Sequence, residues 1–425
     1  MRYAKGVLIT LAAKGLAIPI GIASSIITAR YLGPEGRGIL AVLIVLQGGV
    51  ALFGSLGLHA SSTYFIARDK KDAAVITSNI LTSAVGLGLF AALLLYIIGE
   101  IQPQIIIGDV DIVYLNIFLI AIPFTFIAQL LQGVFLAHQK MYEFNLLELL
   151  PRALQLLFFV VVLMLLGLGT YEAVLCFVAA TVIGGCVYLH RVWETVQFGF
   201  RFDQSMVKKM VQYGIKNYAV SIFLFLVMRM NLMLINYKLG ISDTGVYSIA
   251  MQIVDVVYLV PSTIALLLFP RVAENAEDSG ALTAKVLRFS VAAMAVFCVS
   301  ILLLGGPFIE VFFGPLFSGA AMPLYWLTPG LFSLSLSTII LNDLAGRGLP
   351  SIVLGASALA LLVNLAIAVP GLDAYGIVGP AIASSVAYIV LLTILLMYFM
   401  KRMNIRASEL LVLKVSDITS ITFRG

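Results

Sequence analysis

Apolar runs of roughly 18 to 25 residues follow one another along the whole chain, separated by short connections. A helix of this length crosses the hydrocarbon layer of a membrane, which is about 30 Å thick. Only 11% of the 425 residues are charged and 61% are hydrophobic, whereas a soluble domain has about 25% charged residues. The strict alternation of a β-barrel is missing from these runs. The sequence therefore predicts an all-α polytopic membrane protein.

The hydropathy pattern predicts about twelve transmembrane helices, with Pro and Gly tolerated inside them. Their ranges are 6–29, 38–60, 76–99, 112–137, 149–168, 171–190, 211–236, 244–268, 284–304, 322–342, 350–369 and 376–400. The connections on one side of the membrane contain most of the Lys and Arg residues, and the other side has only Arg30, Arg37 and Lys238. The positive-inside rule then predicts a multi-pass protein of the cytoplasmic membrane with both termini in the cytoplasm. On this interpretation the net charge of +5 marks the cytoplasmic face, and no nucleic-acid partner is expected.

Two short patterns recur at nearly the same offset and indicate a duplication. Leu32-Gly33 with Gly38 follows the first span, and Leu239-Gly240 with Gly245 follows the seventh. Gly167-Leu168 with Tyr171 parallels Gly371-Leu372 with Tyr375, and both are placed between the last two spans of a half. Six spans in each half make the repeats parallel, so we expect two six-helix repeats around a central cavity.

The repeat divides the chain into four predicted segments. These are an N-terminal six-helix lobe (1–190), a cytoplasmic linker (191–210), a C-terminal six-helix lobe (211–400) and a cytoplasmic amphipathic tail (401–425). A transporter with such halves alternates access by rocking one half against the other, with its cargo between them. We expect a monomer, because that cavity would lie between two halves of one chain.

Several motifs carry a family resemblance over nearly the full length. Residues 29–38 read ARYLGPEGRG, residues 213–216 read YGIK, residues 245–247 read GVY, and residues 313–317 read FGPLF. In this order and at this spacing, the chain resembles the polysaccharide-exporter branch of the multidrug/oligosaccharidyl-lipid/polysaccharide flippase superfamily. Members of that branch often carry an acidic residue after the Arg of span seven, whereas here Met230 and Asn231 follow Arg229. This departure weakens any transfer of a carboxylate ion site to that helix.

The resemblance implies a flippase that moves oligosaccharide repeat units on a polyprenyl pyrophosphate from the inner to the outer leaflet. It implies no enzyme activity and no catalytic residues, and a polysaccharide polymerase and chain-length proteins become candidate partners besides membrane lipid. Relatives couple transport to Na⁺ or H⁺, and the sequence has no nucleotide-binding motif for ATP. No resident cofactor and no metal site are expected, since the three Cys and three His residues lack metal-ligand spacing.

Charged residues inside predicted spans are the candidates for transport, because an unpaired charge is costly in the membrane. Lys14, Arg30, Lys216 and Arg229 lie in or at the ends of spans one and seven and are predicted to bind pyrophosphate, which Arg grips bidentately. Each has a structural alternative. Lys14 would snorkel to the cytoplasmic interface, Arg30 and Lys216 would be interfacial anchors, and Arg229 would pair with Asp255.

Two residues are predicted to take part in ion coupling, Asp255 in span eight and Asn231 in span seven. Asp255 is the only acidic residue that the predicted boundaries place well inside a span. Uncharged polar side chains in or near spans either make interhelical hydrogen bonds or line a sugar-binding cavity. These residues are Gln47, Gln129, Gln132, Asn145, Gln155, Asn231, Gln252 and Asn364, with Tyr64, Tyr218 and Tyr258 as aromatic candidates for stacking or packing.

Two other functions stay open at this stage. A multidrug or cation antiporter of the same superfamily would need acidic groups for cationic cargo, and the predicted deep charges are two cations against one acid. A membrane glycan polymerase or ligase would need a large outer loop with catalytic charge, and the predicted outer loops are short.

Overall fold

The computed structural model describes residues 2–68, 73–274, 279–406 and 409–410. Within these ranges the regular secondary structure is entirely helical, as predicted. The chain divides into two compact units, the first formed by Met1–Phe225 with Leu232–Ser248 and the second by Leu226–Asn231 with Ile249–Gly425. These units do not coincide with the predicted lobe boundaries at 190 and 211, and the division into two six-helix lobes stays a prediction.

Eight helices and parts of two more build the first unit. They are α1 (Arg2–Ser55), α2 (Leu58–Arg68), α3 (Ala73–Ile101), α4 (Pro103–Ile107), α5 (Ile112–Leu119), α6 (Ala121–Ala137), α7 (Met141–Phe159), α8 (Thr170–Thr195), most of α9 (Gln204–Leu239) and the first residues of α10 (Ile241–Glu274). A π-helical turn, Val160–Leu165, extends α7. Large apolar side chains on α5, α6 and α8, such as Phe118, Phe126 and Phe177, fill its interior.

The second unit contains the middle of α9, most of α10 and four further helices. They are α11 (Ser279–Phe313), α12 (Ala321–Gly346), α13 (Ser351–Tyr375) and α14 (Val378–Met403), with a 3₁₀ turn at Pro315–Ala320 before α12. Helix α12 is its most buried element, and small residues such as Ser335 and Ser337 on that helix are fully buried. Small residues allow membrane helices to approach closely.

Every predicted span lies mainly on helical residues, and the chain is a multi-pass membrane protein. Ten described helices are long and apolar enough to cross a membrane, or eleven if α5 and α6, which are bent by 44°, form one span. One of the ten, Ile9–Ser55, is 47 residues long and so about twice the length that one crossing needs. Gly33 interrupts it with non-helical angles, and this interruption lies between the predicted end of span one at 29 and the predicted start of span two at 38. The total of twelve stays a prediction.

The glycines of the first repeated pattern have the same backbone conformation. Gly33 has φ 66° and ψ −172°, and Gly240 has φ 93° and ψ −179°. A positive φ at this ψ is open almost only to glycine. Gly38 and Gly245 also face each other within the first unit: an added Cβ at Gly38 would overlap the Ile241 carbonyl oxygen, and one at Gly245 would overlap that of Pro34. The shared geometry supports the predicted repeat.

The second repeated pattern is not structurally equivalent in the two halves. Gly167 has φ 66° in the connection before α8, but Gly371 and Leu372 lie inside α13 and are buried. The corresponding turn is at Gly376, where φ is 54°. The sequence match was therefore wrong at this point, because α13 continues through Pro370 to Tyr375 and ends six residues after the apolar run was predicted to end.

The close approach at Gly245 gives a test of the fold. We expect Gly245→Ala to lower stability by about 1–3 kcal/mol, the usual cost of overpacking, because backbone atoms of Pro34 occupy the space. Gly355→Ala in α13 is the matched control, since nothing lies within 4 Å of its added Cβ. That control is expected to be neutral or stabilising by up to about 1 kcal/mol through helix propensity. Thermal stability in detergent measures both, and equal effects would contradict the contact.

Candidate functional site

The predicted pyrophosphate ligands Lys14 and Arg30 belong to the first unit and lie on one uninterrupted part of α1. Lys14 is half-buried and Arg30 is exposed. Their separation of sixteen residues corresponds to about 24 Å along the helix and to nearly opposite faces. One pyrophosphate therefore cannot contact both residues at once in this conformation. Lys216 lies in α9, but its side chain is outside the described residues.

The structure brings Arg229 and Asp255 together in the second unit. Arg229 Nη1 and Asp255 Oδ2 are 2.9 Å apart, and the side chains are 27% and 31% exposed. Arg229 lies midway along the candidate span Tyr218–Leu239, about 15 Å from either end. Transporters commonly bind substrates and coupling ions at this depth. The alternative predicted for Arg229, an ion pair with Asp255, is thus present, and neither side chain of the pair is fully buried.

Asn231 lies on the other side of α9 and does not join this pair. Its amide nitrogen donates to the Pro380 carbonyl oxygen at 3.0 Å and to Ser384 Oγ at 2.8 Å, both at the start of α14. The side chain is 1% exposed. Two residues correspond to a 200° rotation on a helix, which explains why Arg229 and Asn231 point to different neighbours. The structure therefore gives Asn231 a packing contact between α9 and α14.

A cavity of about 500 Å³ lies entirely within the first unit, between α1, α6, α7 and α8. Four of the eight uncharged polar residues singled out from the sequence line it, namely Gln47, Gln129, Gln132 and Gln155. Thr125, Thr181 and Tyr188 add hydroxyl groups, and Phe177 and Leu147 add apolar surface. Neither Lys14 nor Arg30 belongs to the lining.

Some polar side chains of this lining make hydrogen bonds within the protein, and one side-chain oxygen has no partner among the described residues. Gln47 Nε2 donates to Thr125 Oγ1 at 2.9 Å and reaches Thr181 Oγ1 at 3.4 Å. The backbone carbonyl of Gln129 accepts a hydrogen bond from His59 Nδ1 at 2.9 Å, which ties α2 to α6. The side-chain Oε1 of Gln129 is buried and has no hydrogen-bond partner among the described residues. Buried polar atoms in native proteins are nearly always satisfied by protein, water or ligand.

The three aromatic candidates are engaged within their own units. Tyr64 stacks on Tyr213 with ring centroids 4.3 Å apart. The Tyr218 hydroxyl donates to the Phe53 carbonyl oxygen, and the Tyr258 hydroxyl is 2.8 Å from Thr338 Oγ1. These contacts favour the packing alternative.

The helices extend beyond the predicted spans, so Asp255 is not the only acidic residue inside a candidate span. Glu148 and Asp343 also lie in such spans, and each pairs with an Arg. Helix α7 begins at Met141 rather than 149, so Glu148 joins Arg152 within its candidate span, and the two side chains are 3.6 Å apart and line the cavity. Asp343 lies in α12, is 0% exposed and pairs with Arg347 at 2.6 Å. In both cases Arg follows the acid by four residues, a spacing that pairs side chains on a helix and that could have identified them.

Comparisons with known proteins agree with the fold. The chain is 23% identical over 392 residues to an uncharacterized membrane protein of Methanocaldococcus jannaschii, which covers 85% of this chain and 89% of that protein. The lipid II flippase MurJ in an inward closed conformation has a TM-score of 0.75 at 14% identity, covering 93% of this chain and 90% of MurJ.

An inward-facing multidrug resistance MATE family transporter of the MOP superfamily has a TM-score of 0.72 at 15% identity, covering 94% of this chain and 98% of the transporter. At these identities the likeness shows the fold. Residues 3–276 match the family model described as polysaccharide biosynthesis protein. The match covers more than half of the chain, and the chain therefore belongs to the polysaccharide biosynthesis protein family, as the sequence motifs predicted.

Proposed function

We propose that this protein is a flippase that moves polyprenyl-pyrophosphate-linked oligosaccharide repeat units across the cytoplasmic membrane by alternating access. The family match over residues 3–276 is the observation that carries the proposal. The fold alone does not separate a flippase from a multidrug transporter, because MurJ and a MATE transporter both share it. Membership of the polysaccharide biosynthesis protein family favours the flippase over the multidrug transporter.

The charges in the second unit support an anionic headgroup as cargo. Pyrophosphate carries about two negative charges, and a guanidinium binds such oxygens bidentately. Arg229 offers this group near mid-membrane with 27% of its side chain exposed.

Lys14, on α1 of the first unit, is half-buried and has no ion-pair partner among the described residues. Because Lys14 and Arg30 are too far apart to share one pyrophosphate, we infer that they act at different stages of transport.

The pair with Asp255 suggests how transport is coupled to an ion. While Asp255 is ionised, its carboxylate competes with pyrophosphate for the same guanidinium. Proton or Na⁺ binding to the carboxylate weakens that competition, and the Arg229 guanidinium then binds the cargo more tightly. Asp255 is then the coupling group, and Asn231 supports the helix that presents Arg229. No covalent step is needed.

Deletion of the gene tests the proposal directly. We expect loss of surface polysaccharide and accumulation of complete lipid-linked repeat units in the inner leaflet, with both reversed by the wild-type gene on a plasmid. Accumulation of incomplete repeat units would instead indicate a role in synthesis. Unchanged polysaccharide with raised drug susceptibility would indicate the antiporter.

A further inference from the structure

We propose that the cavity of the first unit is a carbohydrate-binding site that holds the sugar portion of the cargo. This inference rests on the proposed function for the identity of the cargo, but the site itself is argued from the cavity. Its volume of about 500 Å³ lies within the range of about 300–1,000 Å³ that is typical of small-ligand sites. That is room for a short oligosaccharide.

The lining has one acidic and one basic residue and so no excess positive charge, which favours a neutral ligand over pyrophosphate. Glu148 and Arg152 are the charged lining residues, and they pair with each other at 3.6 Å. The remaining polar groups are amides and hydroxyls. Amides both donate and accept hydrogen bonds, as sugar hydroxyls do, so each glutamine can bind a hydroxyl in either sense.

One residue of the lining also has a hydrogen-bond acceptor that the described part of the protein leaves unused. Gln129 Oε1 is buried with no partner among the described residues, and Gln129 lines the cavity. A sugar hydroxyl is a donor of the kind that this oxygen lacks. On the same lining, Phe177 and Leu147 provide apolar surface for the C–H faces of a sugar ring. The combination of a few convergent polar groups on an apolar wall is typical of a ligand site.

The probe for the test is the free oligosaccharide released by mild acid from the host's own lipid-linked repeat unit. We expect the purified full-length protein to bind it in ligand-observed NMR titrations. Gln129→Leu and Gln155→Leu should each weaken binding about three- to tenfold, the effect of losing one neutral hydrogen bond. Gln252→Leu is the matched control: Gln252 is a half-buried glutamine of α10 outside the cavity lining, and its loss should leave binding unchanged.

A second readout separates ligand binding from a structural role. Because Gln129 Oε1 has no partner in the described protein, replacing this side chain by leucine should leave the thermal stability of the empty protein unchanged or raise it. Lower stability together with weaker binding would show that Gln129 is structural and would overturn its role. Absence of binding by the wild type, or equal binding by all variants, would overturn the carbohydrate site.

Failure of the flippase proposal is distinguishable from failure of this inference. A protein that binds the free oligosaccharide through Gln129 and Gln155 but does not move the lipid-linked form between leaflets of a proteoliposome has the site without the flippase function. A protein that moves the lipid-linked form while both cavity variants retain wild-type affinity for the oligosaccharide is a flippase without this site.

Discussion

Arg229→Ala combined with Asp255→Asn is expected to restore a normal amount of protein to the membrane without restoring export. The single change Arg229→Ala leaves a carboxylate unpaired near mid-membrane, so it should lower both protein level and export. Removing the second charge relieves that cost. Export should nevertheless stay about 100-fold or more below wild type, since two charge-assisted hydrogen bonds are each worth about 1.5–3 kcal/mol.

The test measures surface polysaccharide, as export, and protein level by immunoblot. Both are measured for the two single variants and for the double variant. Arg229→Lys is the conservative control and should retain partial export, because an ammonium keeps the charge but loses the bidentate geometry. Asp255→Asn should bind polyprenyl pyrophosphate at least as tightly as wild type, yet lose the response to an ion gradient. A double variant that exports normally would reduce the pair to a structural contact and end the cargo role of Arg229.

Hydropathy and charge were sufficient to predict the helical membrane fold, because burial in lipid imposes the length and composition of each helix. The equivalence of Gly33 and Gly240 was predictable for a related reason: a break between two helices that needs a positive φ selects glycine, and the selection is visible in one sequence. The same reasoning failed at Gly371, since glycine is also common inside membrane helices, where it permits close packing. Gly371 packs closely against Gly379 in this way.

Individual residues of the candidate sites were predictable from the sequence, but their arrangement in space was not. Arg229 and Asp255 were singled out by their depth, and their pairing was one of two alternatives, because hydropathy does not specify how α9 and α10 pack. Helix α7 was predicted to begin too late because Glu143 and Glu148 lower the local hydropathy of its first turns. Pairing between Glu148 and Arg152 reduces the net charge to be accommodated, so the helix extends through them. The cavity depends on that extension.

The buried pair in α12 shows the same limit and supports the second large prediction. Asp343 is completely buried, accepts from Arg347 Nε at 2.6 Å and Nη2 at 3.2 Å, and also accepts from Thr283 Oγ1 of α11 at 2.6 Å. The predicted span ended at 342, one residue before this aspartate, because a charge usually marks the end of an apolar run. The bidentate geometry and the threonine allow the carboxylate to remain inside the helix.

Asp343→Leu is therefore expected to destabilise the protein by about 3–5 kcal/mol, because Arg347, only 6% exposed, would lose both of its hydrogen bonds to the carboxylate. The double change Asp343→Leu with Arg347→Met should recover most of this loss, since apolar side chains of similar volume replace a buried pair at little net cost. Thermal stability of the solubilised protein and export in cells are the two measurements. If the pair serves stability alone, export follows protein level in both variants. A stable double variant that does not export would instead show that the Asp343–Arg347 pair has a role in transport beyond stability, since a pair needed only for packing can be replaced without loss of transport.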